Sequence, residues 1–179
     1  EIEVQNNVFN QNSGIVASYS RNVIIDGNQF NKCQSGISIQ STRNSVIRNN
    51  RLDILAQPYY ENKGILLINN DTLSVYNNYI YTEGNLSSIG IYMNSCSNTG
   101  IYFNSLNIAN TDIGGESIGF KMQDCIQDNI KDNIFNIKTV GYPAWIVAGT
   151  TGFSLDYNDY YSPSGLIGRY ADINYTNLQ

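Results

Sequence analysis

Several residue types are scarce in this 179-residue chain, and each scarcity removes a class of function. Histidine is absent, which excludes Ser-His-Asp and Cys-His catalysis and any metal site built on imidazole. Only 14% of the residues are charged, the net charge is −5 and no basic cluster occurs, so nucleic acid is a poor partner. No apolar run approaches the roughly 20 residues that span a bilayer, which argues against membrane insertion.

What the chain has in abundance is a repeated asparagine. Each copy lies three residues after an aliphatic residue and two residues before an apolar one. The seven copies are Asn7, Asn28, Asn50, Asn78, Asn104, Asn133 and Asn158. The repeats are shorter than a helical repeat pair of about 33 residues, and their apolar positions follow the two-residue period of strands. The repeat therefore predicts short strands wound as a solenoid, with a bend and a stacked amide ladder at the asparagines.

A small residue marks a second recurring position, 14 residues before a ladder asparagine. These residues are Gly14, Gly36, Gly64, Gly90, Gly119 and Ala144. A large apolar residue follows each of them, and this position predicts core membership for Phe120 and Trp145. The rest of each repeat varies in length, so we expect loops at one corner of the coil. The expected insertions are residues 53–63, 81–89, 107–118 and 136–143, which would wall a groove.

Two segments carry a family resemblance. The units Val23-Ile24-Ile25-Asp26-Gly27-Asn28-Gln29-Phe30 and Ser35-Gly36-Ile37-Ser38-Ile39 resemble repeats of right-handed parallel β-helix proteins, the pectate-lyase-like superfamily. The resemblance covers about residues 1–160. It implies an all-β solenoid of about six to seven coils with three short strands per coil. Because that superfamily includes lyases, glycoside hydrolases, epimerases, tailspikes and adhesins, the resemblance implies a fold and leaves the function open.

The domain organisation follows from where the repeats stop. Residues 1–161 are the predicted β-helix, and residues 162–179 are expected to cap it or to link it to another domain. No recognisable cap precedes or follows the repeats, so we expect a segment of a longer protein with further domains as partners. The superfamily resemblance implies a secreted or surface-displayed bacterial protein, with an export machinery as another candidate partner.

The three cysteines are interpreted by position. Cys96 and Cys125 each lie eight residues before a ladder asparagine, so they are expected to stack on adjacent coils about 4.8 Å apart. A disulfide accepts that distance, yet small residues also stack inward without bonding, and the free pair is the favoured alternative. Cys33 lies in the variable part of its coil, where an unpaired thiol is expected.

Tyrosines and cations recur at outward positions near the ladder. The candidate ligand-binding residues are Tyr76, Tyr79, Tyr102, Arg48, Arg51, Tyr59, Tyr60 and Tyr81, together with Lys131. Ring faces can stack on sugars, and cations can bind uronate or sulfate groups. A polysaccharide or cell-surface glycan is therefore the predicted partner. The alternative is an ordinary sheet surface, where tyrosine is favoured anyway.

Catalysis is undecided from the sequence. A lyase is favoured over a glycoside hydrolase, because no aspartate pair recurs on adjacent coils. Lyase chemistry needs a base close to a uronate whose carboxylate is neutralised. The base candidates are Arg48, Lys121 and Lys131. No cofactor is required by the pattern, and the one cofactor considered is calcium, with Asp112, Glu116 and Asp124 as ligand candidates.

Two functional hypotheses result. The first is a carbohydrate-recognising β-helix module of a secreted or surface protein, which could belong to a polysaccharide-active enzyme. The alternative is a structural β-helix segment of a large adhesin or exported passenger protein, with no catalysis of its own. Loss of glycan binding on Tyr102→Ala would favour the first hypothesis.

Overall fold

Short strands wind around one axis and form a β-solenoid of about six turns with three strands in each coil. The computed structural model describes residues 1–12, 14–55, 61–84, 87–110 and 115–176. The predicted all-β solenoid with three strands per coil is therefore confirmed. Within the described ranges, no helix is long and apolar enough to cross a membrane.

Each coil contributes one strand to each of three sheets. Sheet A contains β1 (Ile2–Gln5), β4 (Val23–Asp26), β7 (Arg43–Arg48), β10 (Asp71–Tyr76), β13 (Gly100–Tyr102), β16 (Asn129–Lys131) and β19 (Ser154–Asp156). Sheet B contains β2 (Val8–Asn10), β5 (Gln29–Cys33), β8 (Arg51–Leu55), β11 (Tyr79–Gly84), β14 (Ser105–Asn110), β17 (Ile134–Ile137) and β20 (Asp159–Tyr161). Sheet C contains β3 (Ile15–Ser18), β6 (Ile37–Gln40), β9 (Asn62–Ile68), β12 (Ser87–Asn94), β15 (Glu116–Gln123), β18 (Gly141–Ile146), β21 (Gly168–Tyr170) and β22 (Ile173–Tyr175).

The asparagine ladder forms the bend between sheets A and B, as the sequence predicts. Asn104 is typical: its Oδ1 accepts the backbone N–H and the Nδ2 of Asn78 at 3.0 and 2.9 Å, and its own Nδ2 donates to Asn133 at 3.0 Å. The residue before each ladder asparagine has a left-handed backbone, for example Asn77 with φ of 57°. Asparagine and glycine tolerate this conformation best, which explains the Asn-Asn and Gly-Asn pairs in the sequence.

The two apolar columns beside the ladder form the core. Val75 pairs with Ile101 across sheet A, and Ile80 pairs with Leu106 across sheet B; all four side chains have 0% relative exposure. Aromatic rings extend the sheet B column near its ends, where Phe135 stacks on Tyr160 with ring centroids 5.6 Å apart. Burial of these columns supplies the main free energy of folding, because each fully buried large side chain contributes about 1.5–3 kcal/mol.

Trp145 is not part of this core, and the prediction that placed it there is wrong. Phe120 pairs with Ala144, and Lys121 pairs with Trp145. Ala144 therefore takes the inward position, and Trp145 lies half-buried on the outer face of sheet C. The repeat is shifted by one residue in this coil, and such a shift moves a strand side chain to the opposite face.

The variable corner lies between sheets B and C, where length variation was expected. Extra residues there lengthen strands, so the expectation of loops throughout is wrong. Strand β11 continues to Gly84 and β14 to Asn110, and β12 and β15 begin at Ser87 and Glu116. The remaining residues of this corner, 56–60, 85–86 and 111–114, lie outside the described ranges.

The three cysteines are buried free thiols. Cys96 and Cys125 stack at the bend between sheets C and A, where the backbone N–H of Cys96 donates to Cys125 Sγ at 3.4 Å. The predicted stacking is therefore confirmed. The hydrogen bond with Cys96, together with burial, raises the pKa of the Cys125 thiol. Cys33 lies in β5 and pairs with Ile54 next to a register shift.

The predicted extension, residues 162–179, contributes the last two strands of sheet C. Strand β21 pairs in parallel with β18, and β22 pairs with β21 in the antiparallel direction. This is the one antiparallel pair among the described strands. Residues 177–179 lie outside the described ranges.

Candidate functional site

The predicted ligand-binding residues fall on two faces, because the ladder bend separates them. Tyr76, Tyr102, Arg48 and Lys131 lie on sheet A, in β10, β13, β7 and β16. Arg51, Tyr79 and Tyr81 lie on sheet B, in β8 and β11. Tyr59 and Tyr60 lie outside the described residues. The sequence treated the set as one patch, and the structure divides it.

On sheet A, the predicted residues already bind one another. Arg48 Nε lies 2.8 Å from Asp26 Oδ2, and Arg48 Nη1 donates to the Tyr76 hydroxyl at 3.0 Å. A hydrogen bond from Asn49 and the contact with Arg48 lower the pKa of Asp26. The Tyr102 ring packs against Gly100, since a Cβ there would lie 2.2 Å from the ring carbon Cε2. The contacts of Arg48 with Asp26 and Tyr76 tie three adjacent coils together, and Tyr76 and Tyr102 are half-buried.

On sheet B, three predicted residues come together in a cleft of about 260 Å³, here called the sheet B cleft. It is lined by Arg51, Asp53, Tyr79, Tyr81 and Lys138. Strands β8 and β11 place Arg51 beside Tyr79 and Asp53 beside Tyr81. The Arg51 guanidinium lies 5.4 Å from the Tyr79 ring centroid, and Lys138 Nζ lies 5.0 Å from the Tyr81 centroid. Each tyrosine is thus held by a cation–π contact.

Hydrogen bonding fixes the floor of the cleft. The Tyr81 hydroxyl donates to Glu83 Oε2 at 2.6 Å. This bond, together with burial and the charge of Glu83, raises the pKa of Tyr81 to about 12, so the phenol stays protonated. Asp53 Oδ1 is shielded from solvent and has no hydrogen-bond partner among the described residues. A buried acceptor without a donor therefore lies beneath the surface of the cleft, which is a costly arrangement.

The charges of the cleft balance. Arg51, Lys138 and Asp53 line the cleft, and the carboxylate of Glu83, which accepts from the Tyr81 hydroxyl, compensates the second positive charge from outside the lining. Two ring faces, two cations and one carboxylate within one depression suit a hydroxyl-rich, largely uncharged ligand. Among the lining residues, the sequence found Arg51, Tyr79 and Tyr81 and missed Asp53 and Lys138.

The sequence contains a signal for one of the missed residues, Asp53, but not for Lys138. Asp53 and Tyr81 each lie three residues after a ladder asparagine, so the register alone places them side by side. Lys138, the residue after β17, approaches Tyr81 from two coils away along sheet B. No spacing within a single repeat predicts that contact.

The catalytic candidates are not brought together. Arg48 and Lys131 lie on sheet A, and Lys121 lies on sheet C. Hydrogen bonds with Tyr76 and Asp26 raise the pKa of Arg48. The side chains required for a base close to a neutralised uronate therefore do not form one constellation around these three residues.

The calcium candidates are also separated. Glu116 is the first residue of β15, and Asp124 follows its last residue, Gln123. An extended strand of this length spans roughly 25 Å, too far for both carboxylates to bind one ion. Asp112 lies outside the described residues. Among the side chains that the structure describes, no group of three or more Cys, Asp or Glu is placed to hold a metal ion.

The sulfur atoms are confined to the interior. All five side chains that contain sulfur are at most 1% exposed: Cys33, Met93, Cys96, Met122 and Cys125. Met93 pairs with Met122 on the same two coils that stack Cys96 on Cys125. Soft donors are therefore grouped, but inside the core and away from solvent.

Comparison with known proteins identifies the family of this β-solenoid. The family model described as "Periplasmic copper-binding protein (NosD)" matches residues 1–136. None of the curated proteins matches the chain. The NosD family consists of right-handed parallel β-helices, so the resemblance to that fold is confirmed. The match covers about three quarters of the sequence, and the chain belongs to the NosD family.

Proposed function

We propose that this chain is an exported β-helix module that binds a glycan in the sheet B cleft. The observation that carries the proposal is the depression in which Tyr79 and Tyr81, each held by a cation, lie beside the Asp53 carboxylate. Tyrosine rings offer faces to sugar rings, and the carboxylate accepts hydroxyl hydrogens. The family's description as periplasmic supports export.

Recognition of a hydroxyl-rich ligand follows from the chemistry of the cleft. Asp53 lines the cleft, so a sugar hydroxyl can donate to its carboxylate. Tyr81 keeps its phenol proton and holds Glu83 in place, so a second carboxylate stays oriented. Lys138 contributes an ammonium donor for a ring or hydroxyl oxygen. The strands on which these residues lie are rigid, which limits the entropy lost on binding.

Isosteric variants test this proposal. Retention of neutral and acidic polysaccharides by affinity electrophoresis should detect binding by the unmodified chain. Asp53→Asn and Lys138→Gln should each weaken it about tenfold, since a hydrogen bond to a charged group contributes about 1.5–3 kcal/mol. Lys32→Gln is the matched control, because Lys32 is an exposed lysine of β5 outside the cleft.

The same panel separates the alternative functions. Binding that Asp53→Asn and Lys138→Gln leave unchanged would remove the cleft as the site. No retention of any glycan would favour a structural segment of an adhesin or exported passenger protein. Appearance of unsaturated sugar ends would add lyase activity, and mutagenesis would then turn to Arg48, Lys121 and Lys131.

Copper binding, which the family description names, fits the donor atoms of this chain poorly. Copper prefers imidazole, thiolate and thioether ligands. The sequence contains no histidine, and every sulfur atom is buried in the core. Copper bound to Cys96 and Cys125 would require two buried thiols to lose their protons, and the raised pKa of Cys125 opposes this.

A further inference from the structure

Sheet C carries a second assembly of rings and cations on its outer face. Five side chains form what we call the cation–aromatic row: Lys63, Tyr92, Lys121, Trp145 and Arg169. Their order follows the strands β9, β12, β15, β18 and β21, one coil after another. With coils about 4.8 Å apart, the row extends roughly 20 Å along the solenoid axis.

Each ring in the row lies between two cations. Lys63 Nζ and Lys121 Nζ lie 5.8 and 5.4 Å from the Tyr92 centroid. Lys121 Nζ and the Arg169 guanidinium lie 4.2 and 4.7 Å from the Trp145 centroid. Cation–π contacts hold these side chains in extended positions on the sheet. The row is therefore ordered before any ligand arrives.

The charges of the row are compensated at its ends and not at its centre. Lys63 pairs with Glu61, and Arg169 Nη2 lies 3.0 Å from Asp172 Oδ1. Lys121 has no carboxylate within 4.0 Å among the described residues. An anionic group fits best at this central ammonium.

Two neighbouring features favour a ligand that extends along the row. Trp145 lies half-buried on the outer face of sheet C beside Lys121, so its indole presents an apolar ring surface next to the unpaired ammonium. A depression of about 250 Å³ adjoins the first coils of the row. Lys63, Leu66, Ser38 and Glu61 are among its lining residues. Leu66 is the register partner of Tyr92, so the depression ends next to the first ring of the row.

We propose that the cation–aromatic row binds a linear anionic glycan along the solenoid axis. One carboxylate or sulfate group lies on Lys121, and the flanking sugars contact Tyr92 and Trp145. Nucleic acid is disfavoured because the row offers one unpaired cation and the whole chain has a net charge of −5. The proposal extends the glycan-binding function of the sheet B cleft but uses a different face and a different ligand charge.

The test compares charged and neutral ligands on single variants of the full chain. Affinity electrophoresis at about 0.15 M salt, where long-range attraction is screened, would use polygalacturonate, dextran sulfate, neutral dextran and an oligothymidylate. Lys121→Gln should weaken polygalacturonate or dextran sulfate binding at least tenfold, and the stronger of the two identifies carboxylate or sulfate. Trp145→Phe, which keeps a ring with a smaller face, should weaken it severalfold.

Control variants and control ligands separate binding on the row from non-specific charge effects and from binding in the cleft. Lys32→Gln removes the same charge elsewhere and should change binding less than twofold. Equal losses for Lys121→Gln and Lys32→Gln, equal retention of neutral dextran, or equal retention of oligothymidylate would overturn the proposal. Asp53→Asn and Lys138→Gln report on the cleft alone. If only the two cleft variants lower binding, the glycan binds in the cleft and the proposal for the row is wrong. If only Lys121→Gln lowers binding, the glycan binds on the row and the proposal for the cleft is wrong.

Discussion

The two bends that flank sheet A both have to satisfy buried polar groups, and they do so with different side chains. At the bend between sheets A and B, every coil uses an asparagine, and each amide bonds to the next one at 2.9–3.1 Å. The bend between sheets C and A uses a mixed column. Its members are Ser20, Thr42, Asn70, Cys96, Cys125 and Thr150.

The bonds in the mixed column vary in length, up to 3.5 Å between Cys125 N–H and Thr150 Oγ1. Thr42 N–H donates to Asn70 Oδ1 at 3.0 Å, whereas Cys96 N–H reaches Cys125 Sγ at 3.4 Å. Sulfur is a weak acceptor, so these coils gain less from the column. The comparison teaches that a buried polar column is strong when one side chain that both donates and accepts is repeated. Substitutions at the two bends should therefore differ in size.

The largest effect is expected in the middle of the asparagine ladder. Asn104→Leu removes the acceptor of Asn78 N–H and Nδ2 and the donor to the Val75 carbonyl oxygen. Each buried group left unsatisfied costs about 1–3 kcal/mol, so we expect a loss of about 3–5 kcal/mol. Urea unfolding followed by circular dichroism measures it. A loss below about 1 kcal/mol would contradict the ladder's role.

The next effect depends on pH and concerns Asp128, three residues after Cys125. Its Oδ1 accepts Thr99 N–H at 2.7 Å, and its Oδ2 is shielded and unpartnered among the described residues. Burial raises the pKa of Asp128 from 3.8 to about 6. The folded chain therefore binds this proton more tightly than the unfolded chain does. The resulting stability is complete below pH 3.8 and is lost as the pH rises through 6.

Asp128→Asn should remove this pH dependence. Relative to the variant, the unmodified chain should lose up to about 2.5 kcal/mol between pH 4 and pH 7.5. Urea midpoints at both pH values provide the measurement. The lowered pKa of Asp26 affects both proteins equally and cancels in the difference. Identical pH profiles for the two proteins would show that Asp128 does not titrate in this range.

A smaller effect is expected within the mixed column. Thr42→Val keeps the shape of the side chain and removes the Oγ1 bond to Asn70 Oδ1, while the backbone N–H of Thr42 still donates to the same oxygen. Because the acceptor stays satisfied, the loss should be about 1 kcal/mol. Differential scanning calorimetry would detect it as a shift of a few degrees in Tm. A loss of unfolding free energy as large as that of Asn104→Leu would mean that the two bends contribute equally to stability.

The smallest effect is expected at Asn7, the exposed first member of the ladder. Its Nδ2 donates to Asn28 Oδ1 at 3.1 Å and to the Gln5 carbonyl oxygen at 2.8 Å. Water can replace these bonds, so Asn7→Ala should cost about 0.5 kcal/mol. The same urea assay tests it. A cost similar to that at Asn104 would mean that position in the column does not matter.

The repeat predicted the scaffold because its signal is redundant. Each ladder asparagine, such as Asn78, agrees with neighbouring apolar columns in several coils, so one position supports another. Trp145 was misplaced because a one-residue shift within a single coil leaves no trace in the residues that mark the repeat. The sheet B cleft was found in part: Tyr79 and Tyr81 follow from the register, and Lys138 does not, since its contact crosses two coils.

The unequal lengths of the coils carry a consequence for how such a protein evolves. The span from sheet C through sheet A to the ladder is nearly constant, with one extra residue in the coil of Ala144, whereas the corner between sheets B and C accommodates repeats of 21 to 29 residues. New side chains can therefore accumulate at that corner, beside the strand ends that lead from the cleft, while the interior is inherited unchanged. Ligand choice can diversify in this lineage faster than stability is lost.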